Sequence, residues 1–410
     1  MKRTLSKEEE ERIIDFRHDM HVHPELSHEE LETSAKIKAF LESLPGVEIL
    51  PFREGKSGVV ARVKGKAAGK DTVNGRPPEV ALRVDIDALP KTEQSQVPFK
   101  SQVEGKMHAC GHDFHTASLL GTAILLSETR QDWHGTADLV FQDAEEASDG
   151  ASGMLEDGLL DLVHPDVFFG LHNRPEVEYG NVVCHKGAIM TAKSNFAITI
   201  EGKTAHGASP QYGADAIVCA SAIVMGLQTA VSRASDPRDC VVLTVGSMHG
   251  GSQENIICDK VVLKGSARSL DDAAKERAVK KMEDLVQGIS AAYGCRPKIE
   301  YTQVNPMVYN GPKMYQLAKK AAQAAVGEEH VVDARPSMAS EDFSNFMAKV
   351  PSFFYWIGSG TPGETSYPWH SEKFHADDRG IRAGAETMFE AALYSFQDPD
   401  VLAGTLKPGS

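Results

Sequence analysis

The sequence predicts an α/β protein: a mixed, mostly parallel sheet with helices on both faces, interrupted by an inserted α+β domain. Short apolar runs alternate with helical patterns, the order that gives a parallel sheet covered on both sides. Ligand-type side chains collect just after these runs, where open α/β sheets bind their ligands. From about residue 188 to 301 the texture changes to polar–apolar alternation, which marks strands with one wet face.

The elements follow in order. Glu8 to Leu44 reads as two helices broken around His21-Val22-His23-Pro24-Glu25, where proline and polar residues interrupt the period. Val80 to Val84 is a buried strand that ends at Asp85-Ile86-Asp87-Ala88-Leu89-Pro90. Phe114 to Ser127 and Ala151 to Leu160 carry helical patterns, and between them Thr136 to Gln142 is a strand leading to Glu145-Glu146. Asp166 to Leu171 is a third strand, ending at His172. Ser352 to Ile357 is a fourth, followed by a glycine-rich loop and His370. In the insert, Ser194 to Ile200 and Asp239 to Gly246 alternate. Amphipathic helices near Asp215 to Ala234 and Asp272 to Tyr293 complete a strand-helix-strand-strand-helix order. The expected division is 1–187 with 302–410 as the metal-binding domain, and 188–301 as the insert.

The bulk numbers exclude several classes. Of 410 residues, 41% are hydrophobic and 25% charged, which places the chain among ordinary globular proteins. A formal charge of −15 argues against a nucleic-acid partner, because phosphate binding needs clustered Lys and Arg. No apolar run approaches the roughly 18 residues of a membrane span. Met1 to Ser6 leads into a run of Glu without an apolar core, so no secretory signal is expected. The cysteines (Cys110, Cys184, Cys219, Cys240, Cys258 and Cys295) lack paired spacing. All but Cys110 read as reduced, buried small hydrophobes, and a cytoplasmic location is expected.

Cys110 sits in Met107-His108-Ala109-Cys110-Gly111-His112-Asp113, with His115 just beyond. Thiol, imidazole and carboxylate are soft, borderline and hard metal ligands, and few cores collect all three so densely. Adding the strand-end residues gives Cys110, His112, Glu146, His172 and His370. A single histidine of this kind is more often a surface or hydrogen-bonded core residue. One metal site explains them together. A catalytic zinc-like ion needs three protein ligands, so five imply two ions with a shared site. The donor types suit Zn, Co or Ni, and the carboxylate also admits Mn. Adjacent side chains diverge, so Glu146 can face the ions while Glu145 faces the substrate and moves the proton of the attacking water to the leaving amine. Asp87 is expected to fix the tautomer of a ligand imidazole, although a turn-capping role is the plainer reading. Asp113 and His115 fall on the helix start and are not assigned as ligands.

These residues also carry a likeness. Across nearly all of its length the chain resembles the amidohydrolase branch of the aminoacylase and carboxypeptidase-G-like metallopeptidases, which includes the indole-acetyl-amino-acid hydrolases. The matching stretches are His23 to Ser27, Arg83 to Pro90, His108 to Asp113, Ala144-Glu145-Glu146, Gly170-Leu171-His172, the His206 segment, Ser340 to Phe343 and His370-Ser371. The resemblance implies a binuclear metal domain bearing an inserted lid that also forms the dimer contact. It implies hydrolysis of the amide of N-acyl amino acids or related conjugates to a carboxylic acid and a free amino acid. By position, Cys110, His112, Glu146, His172 and His370 would bind two divalent metal ions, and Glu145 would be general base and acid. His206, in Gly202 to Pro210, would reach a neighbouring active site across a homodimer and stabilise the oxyanion. Asn255 and Arg268 would hold the substrate carboxylate, a role that suits the planar fork of arginine.

Ala147-Ser148-Asp149-Gly150 replaces a glycine-rich run of the branch, Cys258 a usual proline, and Ala339 a usual glycine. None of these removes a ligand or the base, but they bear on substrate choice. The rival expectations are a dipeptidase or carboxypeptidase of the same fold, and a binding protein that kept the fold without catalysis.

Overall fold

The computed structural model describes residues 3–69, 73 and 75–410. The chain divides into two compact units, one of residues 1–187, 309–335 and 342–410 and the other of residues 188–308 and 336–341. The return to the first unit thus falls later than the expected 301/302. The intervening segment is a strand, Arg296–Asn305, whose residues are mostly exposed or half-buried. Having only one partly covered face, it lacks the apolar run that announces a buried strand.

The first unit holds an eight-stranded sheet. Its order is Val47–Ile49, Val59–Lys64, Thr136–Gln142, Glu79–Asp85, Val167–Glu178, Ser352–Gly360, Val182–Val183 and Val331–Val332. The four longest neighbours in the middle, from Thr136–Gln142 to Ser352–Gly360, are parallel. Antiparallel partners flank them on both sides, Val59–Lys64 on one and Val182–Val183 on the other. Glu79–Asp85 is buried at every position, as a parallel strand covered on both faces must be. On one face Phe169, Leu171, Phe353, Tyr355 and Ile357 join the main core. On the other Phe168 packs on Phe343 and on Phe346 of the helix Ser344–Met347.

The helices confirm most of the expected pattern and revise its limits. Lys7–Val22 begins with a reciprocal cap: Ser6 Oγ accepts from the Glu9 amide at 3.3 Å, and Glu9 Oε2 accepts from the Ser6 amide at 2.7 Å. Leu31–Glu42 follows the break, and Glu25 Oε2 accepts from the amide of Thr33 in its first turn at 2.7 Å. His112–Glu128 is buried on all sides except at Glu128, so it shows no polar stripe. The single helix expected over 151–160 is two, Gly150–Glu156 and Leu159–Leu162, separated at Gly158 with φ of 88°. The strand expected to end at His172 runs on to Glu178.

The second unit has a four-stranded antiparallel sheet in the order Val241–Gly250, Lys260–Ser269, Ala192–Glu201, Arg296–Asn305. Helices Ala216–Ser232 and Asp272–Ala292 pack on it through Phe196, Ile198, Ile223, Leu263, Met282 and Val286. Asp215 and Asp271 cap these helices by accepting from amides of their first turns. All six cysteines are free, but Cys240 is exposed and corrects the expectation that it is buried. It lies just before a strand at the end of the sheet, following the Asp236–Asp239 turn. Among the described residues no helix is long and apolar enough to cross a membrane.

Candidate metal centre

The central strands of the first unit run in parallel, so their carboxyl ends share one edge. Asp85 and Gln142 close two neighbouring strands in register. The Cys110 loop reaches this edge through a glycine that no other residue can replace. Gly111 has φ of +88°, and a Cβ there would lie 2.5 Å from Asn173 Nδ2. The space is occupied for a reason: Asn173 Nδ2 donates to the Cys110 carbonyl at 2.5 Å, and the Asn173 amide donates to His115 Nε2 at 2.7 Å. His112 is thereby the first residue of its helix and points inward, fully buried.

Of five groups of ligand atoms lying within 4.8 Å of one another among the described residues, two are Asp85, His112 and His115, and Glu145, Glu341 and Asp342; the other three are Cys110, His112 and His172; Cys110, Glu146 and His370; and His112, Glu145 and Glu146. Cys110, His112 and Glu146 each belong to two of these last three, so the three form one connected set. Cys110 Sγ is 3.4 Å from His172 Nε2, and His370 Nε2 is 3.1 Å from Glu146 Oε1. His370 itself is half exposed.

Outer hydrogen bonds decide which imidazole nitrogen faces the cluster. His112 Nδ1 is 3.0 Å from Asp87 Oδ1; a carboxylate only accepts, so Nδ1 carries a proton and Nε2 is the nitrogen whose lone pair a cation would free by displacing the second proton. His172 Nδ1 likewise donates to the Asn173 carbonyl at 2.7 Å. The other oxygen of Asp87 accepts from Ser27 Oγ at 2.7 Å and from the Glu146 amide at 3.0 Å, which joins the two ligand-bearing segments. His112 Nε2 and Glu146 Oε1 are buried without a hydrogen-bond partner.

The charges favour a cation. Burial would pull His112 below its ordinary pKa, but Asp85, Asp87 and Glu146 overrule it and hold the imidazole up to about 10. Burial, then Glu146, Glu145 and Asp85, keep the Cys110 thiol well above its usual range. A divalent ion would relieve both, supplying the positive charge and drawing off the thiol proton. The orphaned atoms and the mixed donor set therefore fit a metal centre.

Glu145 and Glu146 sit on a strained turn. Ala144, Ser148 and His370 have φ of 52°, 59° and 65°, three of the five non-glycine positive values among the described residues. Such backbone persists where surrounding bonds over-determine it. The Glu30 carboxylate accepts from the Ala144 amide at 2.8 Å, and the His370 amide donates to the Ala109 carbonyl at 2.8 Å. Glu145 Oε1 lies 3.4 Å from the Asp342 amide. The Asp342 carboxylate accepts from Arg83, Gln142 and the Ala151 amide at 3.1, 2.8 and 2.9 Å.

Sequence reasoning assigned no role to Asn173, Asp342, Arg83 or the Asp85–His115 pair. Their one sequence signal was position, since Arg83 and Asp85 lie at a strand end and Asp342 in a matched motif. His115 Nδ1 lies 2.5 Å from Asp85 Oδ1, and its Nε2 accepts from the Asn173 amide. Asp149 beside the turn pairs with His28 at 3.1 Å on the surface.

The remaining expected residues belong to the second unit. His206 lies on the short strand Ala205–His206, paired with Ile256, and is exposed. Asn255 is adjacent: its carbonyl accepts from the Gly207 amide at 2.8 Å, and its side chain is exposed. Arg268, on Lys260–Ser269, is half-buried and donates to the Met338 carbonyl at 3.1 Å.

Known proteins are similar to the chain over most of its length. An N-acetyl-L-cysteine deacetylase of Bacillus subtilis (strain 168) is 39% identical over 383 residues, covering 93% of this chain and 88% of that protein. An N-acetylcysteine deacetylase of the same strain is 37% identical over 382 residues, covering 93% and 96%. A solved Bacillus subtilis structure, described as a dinuclear metal-binding peptidase from the M20 family, matches with a TM-score of 0.81 at 34% identity, covering 96% of this chain and 99% of that one. A family model matches residues 81–394, and with these relatives it shows that the chain belongs to Peptidase family M20/M25/M40.

Proposed function

We propose that the protein is a metal-dependent amidohydrolase that cleaves N-acyl amino acids to a carboxylic acid and a free amino acid. The observation that carries this reading is the connected set of Cys110, His112, Glu146, His172 and His370 with Glu145 beside it. Those five would hold two divalent ions, of Zn, Mn, Co or Ni. Bound ions polarise the scissile carbonyl and make hydroxide available near neutral pH. Glu145 takes the proton of the attacking water and delivers it to the leaving nitrogen. Asp87 keeps His112 in the tautomer that leaves Nε2 free to ligate.

His206 is proposed to donate to the developing oxyanion. The Ala208 amide donates to His206 Nδ1 at 3.0 Å, so the neutral ring carries its proton on Nε2 and offers a donor there. Asn255 and the groups of the Arg268 fork not bonded to Met338 are proposed to take the α-carboxylate. A homodimer through the second unit is supported by its sheet edge, where Val241–Gly250 has one described neighbour and exposes Val242 and Met248. Val218 and Met225, on the helix Ala216–Ser232, are exposed as well. Sedimentation velocity tests this: a monomer at micromolar concentration would refute it.

The activity is tested by loading the protein with each metal, measuring metal content by mass spectrometry, and screening N-acetyl amino acids, cysteine included, against free-amine dipeptides. Turnover of the N-acyl series with two ions per chain is expected. Exclusive turnover of dipeptides would establish a peptidase of the same fold instead. Silence toward both with the metals in place would leave a binding protein.

A further inference from the structure

Arg174 is a half-buried cation with two guanidinium nitrogens that make no hydrogen bond. Its side chain is 13% exposed, and both Nε and Nη1 are buried without a partner. The guanidinium lies over the ring of Trp356, 3.8 Å from the centroid, and the indole Nε1 is also buried without an acceptor. Glu176, an exposed carboxylate, forms a long ion pair with Arg174 at 3.5 Å from Nε, without hydrogen-bond geometry. Leaving a guanidinium in this state is costly, and a carboxylate from outside the chain would remove the cost.

The place matters. Arg174 follows His172 by two positions on Val167–Glu178, so both side chains leave the same face of the sheet, their Cα atoms about 6.6 Å apart. Trp356 stands opposite His172 in parallel register and Gly358 opposite Arg174. The guanidinium thus lies over an indole whose register partner is His172. An arm of three to five bonds from a scissile amide held at His172 spans that separation.

We propose that Arg174 is a specificity-determining residue that binds a second carboxylate of the substrate, carried on the amino-acid side chain or on the acyl group. This rests on the amidohydrolase reading, in which Asn255 and Arg268 take the α-carboxylate.

The test measures binding by calorimetry in the metal-loaded Glu145→Gln protein, so that it does not depend on turnover. N-acetylglutamate is compared with N-acetylglutamine, and N-succinylalanine with its terminal carboxamide. We expect the carboxylate member of one pair to bind at least tenfold more tightly. Adding Arg174→Gln, or Arg174→Met, which keeps the apolar stem over Trp356, should remove that preference. The pair that responds identifies the arm. Equal affinity within both pairs, or a preference that survives both substitutions in folded protein, overturns the proposal. A Glu176→Gln variant should keep the preference; its loss there would make Glu176 rather than Arg174 the determinant and would also overturn it. Absence of turnover by the unmutated enzyme would refute the amidohydrolase reading while leaving these affinity ratios to decide Arg174.

Discussion

The two units hold in opposite ways the side chains proposed to act. At the metal centre Cys110, His112 and His172 are buried, and Asp87 and Asn173 fix the segments that carry them through at least two hydrogen bonds each. In the second unit His206 and Asn255 are exposed on a short two-stranded pairing, and Arg268 has a single described bond to a backbone carbonyl. A binuclear centre must be preorganised, because ligand positions set both affinity and the geometry of attack. Substitutions at the centre should therefore divide into those that remove chemistry and those that loosen metal, whereas substitutions in the second unit should change rate without touching metal.

The largest effect is expected from Glu145→Gln, which keeps the shape of the turn and removes the base. Turnover should fall by about a thousandfold or more while metal content stays at the level of the parent. Lost metal would move Glu145 into the ligand set, and near-normal turnover would end its assignment. Next, His206→Ala should lower kcat by about a hundredfold with metal content and oligomeric state unchanged. Mixing it with the Glu145→Gln chain distinguishes a donor in cis from one in trans: recovered activity in hybrid dimers supports trans, and none argues against it.

Asp87→Asn sharpens the contrast from the other side. Removing the ionised acceptor of His112, Ser27 and the Glu146 amide should weaken metal binding by about 10- to 100-fold, read by competition with a chelator. An unchanged affinity would mean that the turn alone positions Glu146.

The smallest effect concerns the support behind the centre. Asp113, next to His112, accepts from Arg17 Nε and His21 Nδ1, each at 2.9 Å, and His21 Nε2 lies 3.2 Å from Glu93. Burial opposes a charge on His21, but Asp113 and Glu93 prevail and hold its pKa up to about 9. Below pH 6.5 the imidazole is protonated in both folded and unfolded chains, and its pairing stabilises in full. Above that the unfolded chain sheds the proton first, so the contribution shrinks and is gone once pH passes 9. The loss is about 3 kcal/mol, from the shift between 6.5 and 9. Thermal melts from pH 6 to 9.5 should show a decline in the parent that is absent in His21→Gln; parallel declines would assign it to other groups.

Much of this was legible beforehand. Thr136–Gln142 agrees residue for residue with its expected strand, because Ala137, Leu139, Val140 and Phe141 form a buried apolar run. The ligand set was legible because thiol, imidazole and carboxylate rarely gather without cause. The strand Arg296–Asn305 was not, since one wet face and one partly covered face leave a weak period. Asn173 and Asp342 were equally hidden: asparagine and aspartate in isolation read as turn residues, and their partners lie 63 and 200 positions away. The Arg174–Trp356 stack joins residues on separate strands and has no local signature.

The sequence by itself determined the sheet, through its apolar runs, and the kind of chemistry, through its donor types. Sequence position had already favoured Cys110 and His112 within the Met107–His115 cluster; only the tertiary structure shows what engages the other three. His108 is buried elsewhere, held to a pKa of about 4 by burial, Asp113 pairs with Arg17 and His21, and His115 is shared between Asp85 and Asn173. Composition cannot show this, because all five are able to ligate. The left-handed turn at Gly111 and the distant acceptors that claim each second nitrogen or oxygen decide it instead.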